Sequence, residues 1–189
     1  EGIPITPYDD AGRKNPYPLM KVTARDAAGN VLASTRIVLP VSDEMSCRSC
    51  HGSGSAEAAR PAAGWAFDPD PERDYRRNVL LLHDEAAASS PAWAPALAAA
   101  GYDPAGLHAT ATVRGRAVLC AACHSSEALP GSGQPGVPPL TRAVHALHAG
   151  VTDPTNGQTL GSSANRSACY RCHPGSETKC LRGAMGKAT

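Results

Sequence analysis

The sequence predicts a mostly irregular fold with a few short α-helices and one N-terminal β-hairpin, whose core is built around bound groups rather than side chains. The 189 residues include 18 glycines and 17 prolines, which favour turns over regular layers. They include only one Phe, two Trp and five Tyr, which is little material for an aromatic core. Small domains with so poor a core are usually stabilised by disulfides or metals, and the cysteine pattern distinguishes the two.

Six of the seven cysteines stand in three copies of one motif, C-x-x-C-H. The first, second and third motifs are Cys47-Arg-Ser-Cys50-His51, Cys120-Ala-Ala-Cys123-His124 and Cys169-Tyr-Arg-Cys172-His173. This spacing is typical of c-type haem attachment, in which two thiols bond the porphyrin and the adjacent imidazole binds the iron. A zinc ribbon or a redox dithiol explains a single C-x-x-C, but neither requires a His after the second Cys each time. The sequence therefore predicts three covalently bound haems c, stacked in the core.

Residues 18–40 are expected to form the β-hairpin. Apolar and polar residues alternate over Leu19–Arg25, Ala28-Gly29-Asn30 supplies the turn, and β-branched residues return over Val31–Leu39. A two-stranded hairpin is marginal alone, so we expect it to pack on a haem, on another subunit or on further sequence. Its free edges also offer contacts for a second subunit.

A first helix is expected to start within Asp68-Pro-Asp-Pro-Glu72, because Asp caps helices well and Pro suits the first turn. One face of this helix carries an inward-pointing histidine. The members of that face are Tyr75, Val79, Leu82, His83 and Ala86. A buried neutral imidazole bonded to a carbonyl is the plainer interpretation of His83, but beside haems an iron ligand is favoured.

A second helix is expected over Pro91–Ala100, with Ser90 as its cap and Gly101 as its end. The following segment, Leu107–Val113, is rich in threonine and is interpreted as extended. It contains His108 just before the second motif, where an iron ligand and a solvent-facing side chain are both consistent with the spacing.

A third helix is expected over Leu140–Gly150, after a loop at 130–139 that is too rich in proline and glycine for regular structure. This helix carries His145 and His148. Residues three apart lie close together on one helical face, so the two imidazoles could bind neighbouring haems. A zinc pair is the competing interpretation, but it would lack thiol or carboxylate partners nearby.

The three motifs and the additional histidines resemble the multihaem c-type cytochromes of bacterial electron export. Residues 39–47, 79–84 and 172–183 are also similar to large secreted multihaem proteins in which further sequence flanks this region on both sides. The resemblance implies six-coordinate haems that each have two His ligands. It also includes filament-forming cytochromes, in which a His of one subunit completes the haem of the next.

On this resemblance the proximal iron ligands are His51, His124 and His173. The candidate distal ligands are His83, His108, His145 and His148, one more than three irons require. We expect His83 to serve the first haem, and His145 and His148 to serve two different haems. The leftover Cys180 has no second Cys at the motif spacing, so we expect it to be neither an anchor nor a ligand.

The sequence divides into an N-terminal β-hairpin segment, 1–45, and a tri-haem cytochrome domain, 46–189. The formal net charge of +1, without a basic stripe, argues against nucleic-acid binding. The longest apolar run, 86–100, is interrupted by serines and prolines, so no transmembrane segment is expected. Because c-type haem is attached outside the cytoplasmic membrane, we expect an extracellular or periplasmic location.

The function predicted from these features is electron transfer through three bis-His haems, without catalysis. The chain would act as a carrier or as the subunit of an extracellular conducting filament, with other cytochromes or copies of itself as partners. The alternative is a multihaem reductase, in which one haem keeps an open coordination position for a small oxyanion.

Overall fold

The computed structural model describes residue 11 and residues 19–38, 47–126 and 131–172. The helices in this part of the chain are α1 (Arg48–His51), α2 (Pro71–Ala87), α3 (Trp93–Ala100), α4 (Leu107–Thr112), α5 (Leu140–His148) and α6 (Cys169–Cys172). Short 3₁₀ turns cover Glu57–Ala59, Cys120–Ala122 and Arg166–Ala168. The chain divides into two compact units, one of residues 47–165 and one of residues 1–46 with 166–189.

The predicted hairpin is present as two antiparallel strands, β1 (Leu19–Arg25) and β2 (Val31–Val38). Its turn is fixed by Asp26, whose carboxylate accepts hydrogen bonds from Ala28 N–H and Asn30 N–H. The bonds from Asn30 lower the pKa of Asp26. The side chains of Met20, Val22, Val31 and Leu32 are exposed.

Helix α2 begins as predicted, with the Asp70 carboxylate accepting a 2.9 Å hydrogen bond from Glu72 N–H and with Pro71 as the first helical residue. Its most buried positions are not apolar. They are Asp74 and Asn78, one helical turn apart, and Asn78 has no exposed surface. Buried polar groups in a helix need fixed partners, and here these partners belong to the segment that follows the first motif.

Helix α3 begins at Trp93, two residues later than the sequence predicts, and Ser90 is not its N-cap. The Ser90 hydroxyl instead accepts a hydrogen bond from Ala92 N–H, which makes a local turn before the helix. The predicted end at Gly101 is confirmed, because this glycine adopts the left-handed conformation with φ of 67°. The guanidinium of Arg116 donates to the carbonyls of Gly101 and Ala100 at this end.

The prediction of an extended segment over residues 107–113 is wrong, because residues 107–112 form helix α4. The Asp84 carboxylate accepts 2.9 Å hydrogen bonds from Leu107 N–H and His108 N–H, so a side chain of α2 caps this helix. Gly106 brings the backbone so near that an added Cβ would lie 2.5 Å from Asp84. A cap from so distant a residue outweighs the strand preference of the local threonines.

The small core of this unit is formed by Leu97, Tyr102 and Leu107. Partly buried side chains around it are those of Leu80, Trp93, Ala100, Val118 and Ala122. A core cluster of three buried residues agrees with the scarcity of large apolar side chains in the sequence. The predicted third helix is also present, as α5 over Leu140–His148.

Candidate haem-iron sites

The first and second motifs each form a turn that is closed by the same backbone hydrogen bond. In the first, His51 N–H donates a 2.9 Å hydrogen bond to the carbonyl of Cys47. In the second, His124 N–H donates an equal bond to the carbonyl of Cys120. Residues three and four apart lie on one side of such a turn, so each motif gathers two thiols and one imidazole on one face.

The six described cysteines form no disulfide with one another. In each motif one of them is exposed and the other half-buried, so every described motif keeps its sulfur atoms near the surface. The exposed ones are Cys50, Cys120 and Cys169, and the half-buried ones are Cys47, Cys123 and Cys172. Burial raises the pKa of the Cys123 thiol, and the neighbouring Cys120 adds to this. The ring of His173 and the thiol of Cys180 lie outside the described residues.

The imidazole of the first motif faces a histidine of α5. The ring centres of His51 and His148 are 6.0 Å apart, and their planes are inclined by 79°. Both residues belong to the unit of residues 47–165. The first motif therefore meets an imidazole that lies far downstream in the sequence, beyond the second motif.

The imidazole of the second motif faces a histidine of α2. The ring centres of His124 and His83 are 6.1 Å apart, and their planes are inclined by 81°. The His83 ring also packs against the ring of Trp93. The two ring centres are 5.4 Å apart, and the planes are inclined by 37°. The two motifs thus have the same arrangement of facing imidazoles, built from different helices.

The spacing of both pairs fits two axial ligands of one metal ion. A metal–imidazole bond is about 2 Å long and the ring centre lies about 1 Å further, so two imidazoles on opposite sides of one ion have centres about 6 Å apart. The measured separations are 6.0 and 6.1 Å. Direct stacking or a hydrogen bond between the rings does not require this spacing at both motifs.

One imidazole of each pair is oriented by the backbone. The Nδ1 atom of His124 lies 2.7 Å from the carbonyl oxygen of Pro138, and Nδ1 of His148 lies 2.8 Å from that of Val144. A carbonyl only accepts, so in both rings Nδ1 carries the proton and the neutral ring keeps its lone pair on Nε2. Metal-binding histidines commonly have this second hydrogen bond, which fixes the ring and its tautomer.

The other imidazole of each pair is half-buried and has no such anchor. The Nδ1 atoms of His51 and His83 are buried and have no hydrogen-bond partner in the described part of the chain. Burial lowers the pKa of His51 to about 4, and the nearby His148 adds to the shift. Burial also lowers the pKa of His83, with a further contribution from His124. Both rings are therefore neutral at pH 7, as a metal ligand must be.

Two buried polar residues of α2 hold the first motif. The amide of Asn78 donates to the His51 carbonyl at 2.9 Å and to the Ser53 hydroxyl at 3.1 Å. Its oxygen accepts from Ala66 N–H. The Asp74 carboxylate accepts from the Ser53 N–H at 2.7 Å and from its hydroxyl at 2.6 Å. These bonds fix where the chain leaves the helical turn that contains the thiols.

The second motif is held from both ends. Tyr102 accepts a 2.9 Å hydrogen bond from the N–H of Leu119, the residue directly before the motif. On the other side, the Gln134 amide donates to the Ala122 carbonyl at 2.9 Å, and Gln134 N–H donates to the Cys123 carbonyl at the same distance. The loop expected to be irregular therefore wraps the motif, and it also supplies the carbonyl that orients His124.

The structure changes one ligand assignment made from the sequence. His83 does not pair with the first motif, because its ring faces His124, and His148 takes the place beside His51. The reason is the length of α2. Asn78 already contacts the first motif, and His83 lies about 7 Å further along the helix axis, where it reaches the second motif.

The other two candidate distal ligands are placed differently. His145 is exposed on α5, and its Nδ1 lies 2.7 Å from the carbonyl of Thr141. It therefore has the same backbone anchor as His148, and its assignment to a different haem stays a prediction. His108 is half-buried on α4. Its role as a ligand also stays a prediction.

Sequence reasoning missed the polar supports Asp74, Asn78 and Gln134 and the aromatic neighbour Trp93. A signal for Asn78 exists in hindsight, because Asn is a poor helix former in the middle of an otherwise strong helix. Gln134 lies within a loop that offers no periodic pattern. Its role could not be read from the sequence.

Among the described residues, no three His, Cys, Asp or Glu side chains converge as they would around a metal held by protein ligands alone. A haem iron needs only two axial ligands from the protein. No helix in the described ranges is both long and apolar enough to cross a membrane. No protein-family model, curated protein or solved structure matches the chain.

Proposed function

We propose that this protein transfers electrons through three covalently bound haems c, two of which have paired imidazoles as axial ligands. Cys47 and Cys50 would anchor the first haem, and His51 and His148 would bind its iron. Cys120 and Cys123 would anchor the second, and His124 and His83 would bind its iron. The observation that carries the proposal is the separation of the two imidazole pairs, 6.0 and 6.1 Å.

Haem iron changes between the ferric and ferrous states and so carries one electron. The chain supplies neutral imidazoles, because burial keeps His51 and His83 deprotonated at pH 7. It also fixes the partner rings through the carbonyls of Pro138 and Val144. If both imidazoles of each pair bound the iron, neither site would leave room for a substrate on the metal, which favours a carrier over a reductase.

The third haem is proposed from its motif, Cys169, Cys172 and His173. Helix α6 places the two cysteines one helical turn apart, as this attachment requires. Its distal ligand is predicted from the sequence alone: His108 and His145 are the candidate histidines outside the two pairs, and a residue of another chain is the alternative. A reductase would keep this one iron open, so the third site decides between the two functions.

We further propose that the protein works outside the cytoplasmic membrane, where c-type haem is attached. Its partners are other cytochromes or copies of itself. A surplus histidine such as His145 could complete a haem in the next copy, and head-to-tail contacts that do not close produce a filament. Sedimentation and negative-stain imaging of the holo-protein separate a soluble shuttle from a conducting filament.

The direct test is production of the protein in a bacterial periplasm equipped for c-type haem attachment. Intact mass under denaturing conditions should exceed that of the bare chain by three haems. Electron paramagnetic resonance (EPR) and optical spectra of the ferric protein should show only low-spin iron. A mass gain of fewer than three haems would remove at least one motif from the proposal. A substantial high-spin fraction that binds nitrite would replace the carrier with the reductase.

A further inference from the structure

The orientation of the His83 ring is set by packing rather than by hydrogen bonding. Its Nδ1 atom is buried and has no hydrogen-bond partner within the described residues. The torsion that rotates an imidazole about its Cβ–Cγ bond has only broad, shallow preferences. A ring without a hydrogen bond therefore takes the rotation that its neighbours allow.

The neighbour that limits this rotation is Trp93. Its ring centre lies 5.4 Å from that of His83, and the two planes are inclined by only 37°, so the two rings make a tilted aromatic contact. Aromatic pairs at this distance have a preferred geometry and gain more than their buried area alone. The indole thus forms a flat wall along one side of the His83 imidazole.

Trp93 is itself firmly placed. It is the first residue of α3, its N–H donates a 3.0 Å hydrogen bond to the Ser90 carbonyl, and its side chain packs on the core. His51, the corresponding unanchored ring of the first pair, has no aromatic neighbour other than His148 among the described residues. An aromatic wall is therefore a feature of the second site and distinguishes it from the first.

We propose that Trp93 is a positioning residue that holds the His83 imidazole nearly perpendicular to that of His124, and thereby sets the electronic state of the iron between them. This inference rests on the proposed function. The angle between the two axial imidazole planes determines how far the iron d orbitals split. Perpendicular planes give a ferric EPR signal with one dominant large g value, whereas parallel planes give a rhombic signal with three resolved g values.

The test compares ferric EPR spectra of the holo-protein with those of three variants. Trp93→Leu removes the flat wall, Trp93→Phe keeps an aromatic face, and Trp65→Leu is the matched control at the other, half-buried tryptophan. In Trp93→Leu, the share of the large-g signal that arises from the second haem should disappear. A rhombic low-spin signal with the same number of spins should replace it. His83→Ala defines that share, because it removes a ligand from the same site. Trp93→Phe and Trp65→Leu should keep the wild-type spectrum.

An unchanged spectrum in Trp93→Leu, with all haems present by mass, would overturn the inference. An equal change in Trp93→Phe or in Trp65→Leu would also overturn it, because it would indicate a general loss of packing. Failure of the proposed function would look different. In that case the wild-type protein itself would lack the haem at the second motif or would show no low-spin signal.

Discussion

The side-chain amide of Asn78 donates a 2.9 Å hydrogen bond to the backbone carbonyl of His51, which ties helix α2 to the first motif. Further along the same helix, the ring of His83 faces His124 of the second motif. One helix therefore contributes to both candidate iron sites, as a backbone support in the first and with a candidate ligand in the second.

Replacing His148 by Ala should turn the first haem high-spin, because His51 would lose the imidazole that faces it. His145→Ala is the matched control, since both residues lie on α5 with Nδ1 anchored to a carbonyl one turn earlier. We expect His145→Ala to leave the first haem low-spin and to affect a different haem. Optical and EPR spectra of the ferric protein measure both effects.

A background without the first haem makes this assignment specific. In a Cys47→Ala, Cys50→Ala double variant, the added His148→Ala change should have no further effect on the spin state of the remaining haems. A new high-spin signal in that background would show that His148 binds another iron.

Replacing His83 by Ala should turn the second haem high-spin while the first remains low-spin, because the His83 ring is 6.1 Å from His124. This result would support the assignment from the structure over the one from the sequence, which linked His83 to the first haem. His108→Ala serves as the control on the neighbouring helix α4 and should leave the second haem unchanged. Resonance Raman spin-state bands, recorded for both variants, provide the measurement.

Asn78→Ala should destabilise the holo-protein by about 1–3 kcal/mol, the usual cost of leaving buried polar groups unpaired. The carbonyl of His51 and the N–H of Ala66 would each lose a partner. The control is Arg73→Ala on the exposed side of the same helix, expected to change stability by less than about 0.5 kcal/mol. Denaturant titration gives both values, and equal midpoints for the two variants would contradict the role of Asn78.

The stability of the protein should fall in acid partly because of Asp74. Burial alone would raise the pKa of this carboxyl group, but hydrogen bonds from Ser53 and Asp68 N–H outweigh it, and the pKa lies below its ordinary value of 3.8. A carboxyl whose folded pKa is depressed contributes stability above its unfolded pKa and loses it as the pH falls through the folded one. The loss attributable to Asp74 should therefore occur below about pH 4.

Asp74→Asn is the variant that tests this. It should be less stable than the wild type at pH 7, because an amide cannot accept the three hydrogen bonds that the carboxylate accepts. The difference between the two proteins should shrink as the pH falls from 4 to about 2. A constant difference across this range would assign the acid sensitivity to other groups, and Glu85→Gln, at an exposed position of the same helix, is the control.

The local elements were predictable where a local signal exists. The alternation at residues 19–38 and the Asp-Pro start of α2 are short-range patterns, and the hairpin and the helix start are where those patterns indicate. Helix α4 was not predictable, because its cap is the carboxylate of Asp84 in another helix. The chemistry of a cap is local, but the residue that supplies the accepting oxygens is determined by the fold.

In the candidate sites, too, the local features were predictable from the sequence and the tertiary contacts were not. The motif indicates which thiols and which imidazole act together, and the structure shows that the first two motifs share the same backbone hydrogen bonds. The facing imidazole cannot be predicted from spacing, because His148 and His83 are brought in by tertiary packing of α5 and α2. The composition indicated only that the chain has enough histidines to supply two ligands for each iron.

The two facing pairs also impose an order on assembly. His83 precedes the second motif in the chain, so both imidazoles of that pair are present as soon as this motif has been synthesised. His148 follows the first motif and lies beyond the second, so the first pair cannot close until the later site has been synthesised. The loop closed by His51 and His148 contains the whole of the other pair, and closing such an outer loop costs more chain entropy. Haem attachment at the first motif would therefore precede its full ligation, and the amino-terminal site would be the last of the two to mature.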